Sequence, residues 1–168
     1  IAARLRARKG GVARIWANLG ANKDSEDRAG DYLRVMDGLH GLVGAMTLNI
    51  SSPNTERLRD LQGPAALEAL LTRALEKRDA LATAESRTPV LLKIAPDLVD
   101  AEIAEIARIA MKAGVDGVVA TNTTLSREGL RSTHAAETGG LSGAPLKAKA
   151  LAVLRRLRTE TGGALPLI

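Results

Sequence analysis

Ala45-Met46-Thr47-Leu48-Asn49-Ile50-Ser51-Ser52-Pro53-Asn54-Thr55 changes character halfway along. Its first part is an apolar run of the kind that makes a short buried strand. From Asn49 onward amides and hydroxyls take over, and Pro53 can neither donate to a sheet ladder nor sit inside a helix. A plain turn does not need so many polar side chains. The stretch reads as a site set at the carboxyl end of a strand.

The flanking sequence repeats the pattern. Upstream, Ala29, Tyr32, Leu33, Met36, Leu39 and Val43 recur at three- and four-residue spacing, which predicts one apolar helix face. Asp24 or Ser25 is placed to cap that helix, and Gly44 to end it. Before it, Ala13 to Leu19 predicts a strand that runs into Gly20-Ala21-Asn22-Lys23-Asp24. Ile1 to Lys9 predicts the end of a helix, stopped by Gly10-Gly11. Downstream, Pro64 suits a first helical position, followed by Leu67, Leu70, Leu71, Ala74 and Leu75 on one face. Pro89 to Ile94 predicts a third strand. Asp100 starts a helix carrying Ile103, Ile106, Ala107, Ala110 and Met111, with Gly114 just past its end. Val115 to Ala120 predicts a fourth strand, which breaks into Thr121-Asn122-Thr123-Thr124. A loop rich in Gly, Ser and Thr follows from 126 to 143. Pro145 then opens a helix with Leu146, Leu151, Leu154 and Leu157, stopped by Gly162-Gly163. Leu165 to Ile168 predicts the first part of a fifth strand.

Strands alternating with helices define an α/β fold, and near-continuous apolar strands are those of a buried parallel sheet. Pattern alone allows a doubly wound sheet or a (β/α)₈ TIM barrel. The strand ends favour the barrel. Asn18, Asn49 with Ser52, Lys93 and Asn122 place polar side chains at the carboxyl end of all four complete strands. A barrel converges every strand end on one pocket, whereas a doubly wound sheet uses those beside its switch point. A barrel of about 250 residues has about 31 per βα unit. The 168 residues then correspond to roughly five of eight units. Residues 1–168 are therefore expected to be a partial barrel domain, truncated at both ends, with sheet edges left open.

Composition narrows the chemistry. Hydrophobic residues make up 45%, Phe and Cys are absent, and Trp16 and Tyr32 are the only aromatics. The core must be aliphatic, and disulfides, thiolate metal sites and Cys nucleophiles are excluded. His40 and His134 lack partners at metal-ligand spacing and are expected at the surface, so no metal is expected. The net charge of +5 favours anionic ligands. Nucleic acid is not an expected partner, because stacking aromatics are nearly missing and the basic residues are dispersed. The run Arg4-Leu5-Arg6-Ala7-Arg8-Lys9 reads as a solvated helix end.

Several amides around one pocket suit a planar heterocycle of alternating C=O and N–H groups, because each carboxamide both donates and accepts. Lys93 lies between Leu92 and Ile94 and is costly there unless paired. It could form a Schiff base, as in an aldolase, or act as a fixed charge beside an electron-accepting cofactor. Ser51 and Ser52 lack a nearby Asp/His pair, so a hydrogen-bonded turn is their default. Gly139-Gly140-Leu141-Ser142-Gly143, just before a helix, is a candidate anion cradle.

These pieces resemble the dihydroorotate dehydrogenases, in particular the quinone-linked class 2. The resemblance runs through Asn18-Leu19-Gly20 with Asn22-Lys23, and Asn49 to Thr55 with Leu58-Arg59-Asp60-Leu61-Gln62. It continues in Val90 to Leu98, Asp116-Gly117, Ala120 to Thr124, and Glu137 to Gly143 with Pro145-Leu146. It implies a TIM barrel holding FMN and oxidising dihydroorotate to orotate in pyrimidine synthesis, with a membrane quinone as acceptor. It implies that Ser52 is the catalytic base, aided by Thr55. Asn49, Asn54, Asn122 and Thr123 would bind substrate. Asn18, Asn49, Lys93, Thr121 and Gly143 would contact FMN, with Lys93 as the fixed charge. Class 1 relatives use Cys as base, and this chain has none. Class 2 members dock on the membrane through an N-terminal helical segment that these residues do not include. The bacterial inner membrane is the expected location ahead of the mitochondrial one. The family's Pro-Gly is replaced here by Glu56-Arg57, which changes the loop beside the base. The family's first FMN contacts and its phosphate-binding Gly-rich strands are expected outside residues 1–168. The segment alone is therefore expected to bind FMN poorly and to be inactive.

Overall fold

The computed structural model describes residues 1–8, 14–53 and 58–168. Gly10-Gly11 as a helix stop, the start of the first strand at Ala13, the site residues Asn54 and Thr55, and Glu56-Arg57 lie outside the described residues. The elements run α1 (Ala2–Ala7), β1 (Trp16–Leu19), α2 (Arg28–Leu39), β2 (Ala45–Asn49), a 3₁₀ turn (Leu58–Gln62), α3 (Pro64–Leu81), β3 (Val90–Ile94), α4 (Asp100–Ala113), β4 (Gly117–Ala120) and α5 (Ala144–Glu160).

The four strands form one parallel sheet in the order β1-β2-β3-β4. A doubly wound sheet reverses its order at a switch point, and this sheet does not. Each crossover steps to the next strand, and consecutive helices from α2 to α5 pack on one another. That is the arc of a (β/α)₈ barrel wall. Leu165–Ile168 extends it, because Leu167 bridges Val118 in parallel and Ala120 N donates to Ile168 O at 2.8 Å.

Strand alternation gives the sheet two faces. Leu19, Met46, Leu48, Ile50, Val90, Leu92, Ile94 and Val118 belong to one buried cluster with the apolar faces of the helices. The alternate positions face the other way: Trp16 and Asn18, Thr47 and Asn49, Leu91 and Lys93, Gly117 and Val119. The sheet therefore has an aliphatic layer under the helices and a mixed, partly polar concave face.

Several element boundaries differ from the sequence reading. α2 is capped by Asp27, whose Oδ1 accepts from Gly30 N at 2.9 Å. Asp24 and Ser25 instead form a turn closed by Ser25 N on Asn22 O. α2 ends at Leu39, and Gly41 takes the left-handed conformation (φ +71°) that Gly44 was expected to supply. Gly44 instead leads into β2, with its N–H on Ile15 O at 2.8 Å. Val43 reaches the core from this turn, not from the helix. On α4, Met111 is 43% exposed and Ile109 is buried in its place. α5 buries Val153 and Leu157, while Leu151 faces solvent. Pro64 and Gly114 stand where the sequence placed them, Gly114 at φ +82°.

Candidate active site

The ends of β2 and β4 meet in one amide and hydroxyl network. Asn49 Oδ1 accepts from Ser51 Oγ at 3.0 Å, Ser51 N at 3.3 Å and Asn122 Nδ2 at 3.1 Å. Asn122 Nδ2 also reaches Ser51 Oγ at 3.1 Å, while its Oδ1 accepts from Thr123 N at 2.8 Å. The amide orientation of Asn122 is thereby fixed at both ends. Ser51 is fully buried in this network, and Ser52 beside it is half-buried. Asn122 N bonds to Ile94 O at 2.9 Å, which ties the loop after β4 to the end of β3.

Register sets the remaining strand ends beside this network. Asn49 is opposite Lys93, and Asn18 is opposite Thr47, one step below Asn49 on the same face. Lys93 is half-buried and makes no ion pair or side-chain hydrogen bond among the described residues. Thr121 follows β4, its hydroxyl on Asn122 O at 2.9 Å, and the Ala120–Thr121 peptide is cis. Asn18, Asn49, Lys93, Asn122, Thr121 and Thr123 thus converge on one rim.

The Gly139 to Gly143 segment packs more than it cradles. Leu141 pairs with Thr124 in an antiparallel bridge. Gly140 lies against Thr123 and Pro53 with no room for a Cβ. Toward its end, the α5 N-cap Gly143 (φ +80°) has open space where a Cβ would stand.

Other residues hold the rim without having been read as site residues. Tyr32, placed in the core by its spacing, donates its hydroxyl to Asn49 O at 2.8 Å. Burial pushes that phenol up to about 12, so it stays a donor. Asp31 accepts from Asn22 N at 2.7 Å, holding the loop after β1. Arg59 reaches Ser51 O at 3.2 Å, Asp97 Oδ2 at 3.0 Å and Thr123 O at 3.1 Å. Gln62 Oε1 accepts from Ala95 N at 2.9 Å. These partners stand from 8 to 64 residues apart, and none of the pairs follows a helix or strand period that local spacing could reveal. Of the two histidines, His134 is exposed beside Glu137, while His40 is half-buried at the end of α2.

A family model described as dihydroorotate dehydrogenase matches residues 2–168. A relative from Cereibacter sphaeroides (strain KD131), described as dihydroorotate dehydrogenase (quinone), is 55% identical over 168 residues, covering 100% of this chain and 47% of its own length. One from Rhizobium leguminosarum bv. trifolii with the same description is 51% identical over 156 residues, covering 92% of this chain and 43% of its own. The ligand-free crystal structure of DHODH from Eimeria tenella superposes with a TM-score of 0.92 at 33% identity, over 99% of this chain and 52% of that one. The same protein with ferulenol gives 0.88 at 33% identity, over 98% and 48%. The chain spans about half the length of the curated relatives it matches.

Proposed function

Because the chain belongs to the dihydroorotate dehydrogenase family, we propose that it forms the substrate-facing half of a quinone-linked, FMN-dependent barrel that oxidises dihydroorotate to orotate in pyrimidine synthesis. The observation that carries this reading is the Asn49–Ser51–Asn122–Thr123 network, with Lys93 in register beside Asn49. Its amides match the alternating C=O and N–H edge of a dihydropyrimidine.

The donor set also fits a flavin. Asn18, Asn49 and Thr121 offer amides and a hydroxyl along one rim, Lys93 brings a cation with no ion-pair partner among the described residues, and Gly143 leaves space where a side chain would stand. FMN supplies an acceptor for the hydride leaving C6 and a carrier of electrons to the quinone. Lys93 holds a fixed positive charge beside that acceptor, a role that leaves no need for a Schiff base.

The chain's own residues handle the proton. Ser52 takes the C5 proton, and Thr55 relays it. Asn122 and Thr123, with Asn49 and Asn54, hold the substrate so that its C5–H faces Ser52. A serine hydroxyl is a weak base, so its position must supply much of the effect. The same reading seats the whole enzyme peripherally on the bacterial inner membrane, docked through residues other than these. No helix among the described residues is long and apolar enough to cross a membrane.

The test uses a full-length chimaera in which these 168 residues replace the matching stretch of the Cereibacter sphaeroides relative. It should purify yellow, release FMN on denaturation and oxidise dihydroorotate. A colourless, inactive chimaera beside an active parent overturns the reading. Ser52→Ala should slow flavin reduction by about 10²-fold, the usual loss for a general base. An unchanged half-reaction removes Ser52 from that role.

A further inference from the structure

Arg59 joins three strand ends with one planar group. Its Nε donates to Ser51 O after β2, one terminal nitrogen to Asp97 after β3, and the other to Thr123 O after β4. Asp97 is itself held on every side. It accepts from the Thr124 hydroxyl, from Leu125 N at 3.0 Å and from Lys149 Nζ on α5 at 3.3 Å. Arg59 belongs to the Leu58–Gln62 turn, and Gln62 at the turn's far end binds Ala95 N. Both ends of the turn are therefore docked on the rim.

We propose that Arg59, braced by Asp97, is a positioning residue that sets the Ser51 carbonyl against the Thr123 carbonyl and so fixes Ser52 relative to the substrate-holding Asn122–Thr123 edge. The inference rests on the reading of Ser52 as the base. Its reasoning is geometric. The Ser51 carbonyl belongs to the peptide that carries Ser52, so its direction sets where the Ser52 hydroxyl starts. The Thr123 carbonyl does the same for the far side of the substrate. A guanidinium presents donors in one rigid plane, so bonding both carbonyls at once fixes their separation. Asp97 locks the plane by neutralising it and taking the third nitrogen. A lysine has one nitrogen and cannot span all three partners.

The test is a double-mutant cycle in the full-length chimaera: Ser52→Ala, Arg59→Ala and both together. The measurements are single-turnover flavin reduction, dihydroorotate affinity, FMN content and melting temperature. Arg59→Ala should slow reduction by at least about 30-fold, in line with the cost of a misplaced catalytic group. Affinity should change by less than about 3-fold, and adding Arg59→Ala to Ser52→Ala should cost no more than about 3-fold further, because the two act as a unit. Millimolar guanidinium ion should restore part of the rate in Arg59→Ala and none in the double variant. An unchanged rate, or the same loss in both backgrounds, overturns the proposal and makes Arg59 a stability brace. If Arg59→Ala fails to fold or sheds FMN, Arg59→Lys replaces it in the cycle with the same two outcomes. A Ser52→Ala variant as fast as the parent sinks the reading of the base and this inference with it. A slow Ser52→Ala combined with an additive Arg59 variant sinks the inference alone.

Discussion

Gly140 has no space for a side chain. A Cβ there would fall on the Thr123 hydroxyl, 2.7 Å from Thr123 Cβ and 3.1 Å from Pro53 Cγ. Thr123 is a proposed substrate contact and Pro53 follows the proposed base Ser52, so one missing methyl keeps the 126–143 loop seated on both. Gly140→Ala should lift that loop. We expect dihydroorotate binding to weaken by about 1–3 kcal/mol, the usual range for overpacking, with FMN still bound. A dihydroorotate titration of the flavin spectrum measures this, and unchanged affinity would show that the contact is not needed. At this scale the sequence was a partial guide. A Gly-rich run ahead of a helix predicts an anion cradle, but whether a glycine serves phosphate or packing depends on what lies across from it. Here that neighbour is Thr123, which is 17 residues earlier in the chain. Tyr32 is a similar case. Helical spacing put its ring in the core, correctly, but spacing says nothing about where the hydroxyl ends up.

Among the elements, α2 and α3 are braced by one carboxylate. Asp27 caps α2 through Gly30 N and accepts both terminal nitrogens of Arg73 on α3 at 3.0 Å. The Arg73 hydrogen bond, then the Gly30 amide, hold its carboxyl at about 2. The folded value lies below that of the unfolded chain. The stabilisation is therefore complete above about pH 4 and is lost as pH falls through about 2. Asp27→Asn keeps a good cap but cannot change charge. Its melting temperature should fall less steeply between about pH 4 and 2 than that of the parent chimaera. Parallel slopes in thermal melts would show that the pair contributes nothing, which exposure to solvent makes a real competitor. The helices and strands themselves were legible, because 3.6-residue and apolar patterns persist over many residues. The cap was not. Asp24, Ser25 and Asp27 are all competent caps, and Asn22 decides among them by giving its carbonyl to a turn and its amide to Asp31.

Over the whole molecule, the two ends of the sheet do different work. At the amino end, buried Arg78 bonds Asp116 at 3.0 Å and Gly114 O at 3.1 Å, and Asp116 also accepts from Val90 N at 2.8 Å and Arg87 at 2.8 Å. No proposed site residue takes part, and a barrel's amino end commonly serves stability. Arg78 also pairs with Asp79 at 2.7 Å and 3.2 Å. Asp116→Ala therefore leaves the Arg78 charge compensated but strips a partner from Val90 N and one guanidinium nitrogen, and should cost about 1–3 kcal/mol, seen in thermal or urea melts. Turnover per folded, FMN-loaded enzyme should stay within about 2-fold, because the network is remote from the rim. A selective loss of turnover would mean that the two ends are coupled. The barrel was legible at this scale because every strand end carries a polar side chain, a repeat that one chain can show by itself. The Arg59–Asp97 clasp was not, since its partners come from three different strand ends.

The shared register also has a consequence for insertions and deletions. Asn18, Asn49 and Lys93 face the rim because each sits at the correct parity along its strand. Deleting one residue within β3 ahead of Lys93 would turn its ammonium into the aliphatic layer and present a leucine or isoleucine to the rim. Losing two would keep the face but change the depth. Length changes in the 126–143 loop away from Gly140 and Leu141 carry no such parity. The effect of strand deletions should therefore alternate between odd and even numbers of residues removed, and vary smoothly with length in that loop.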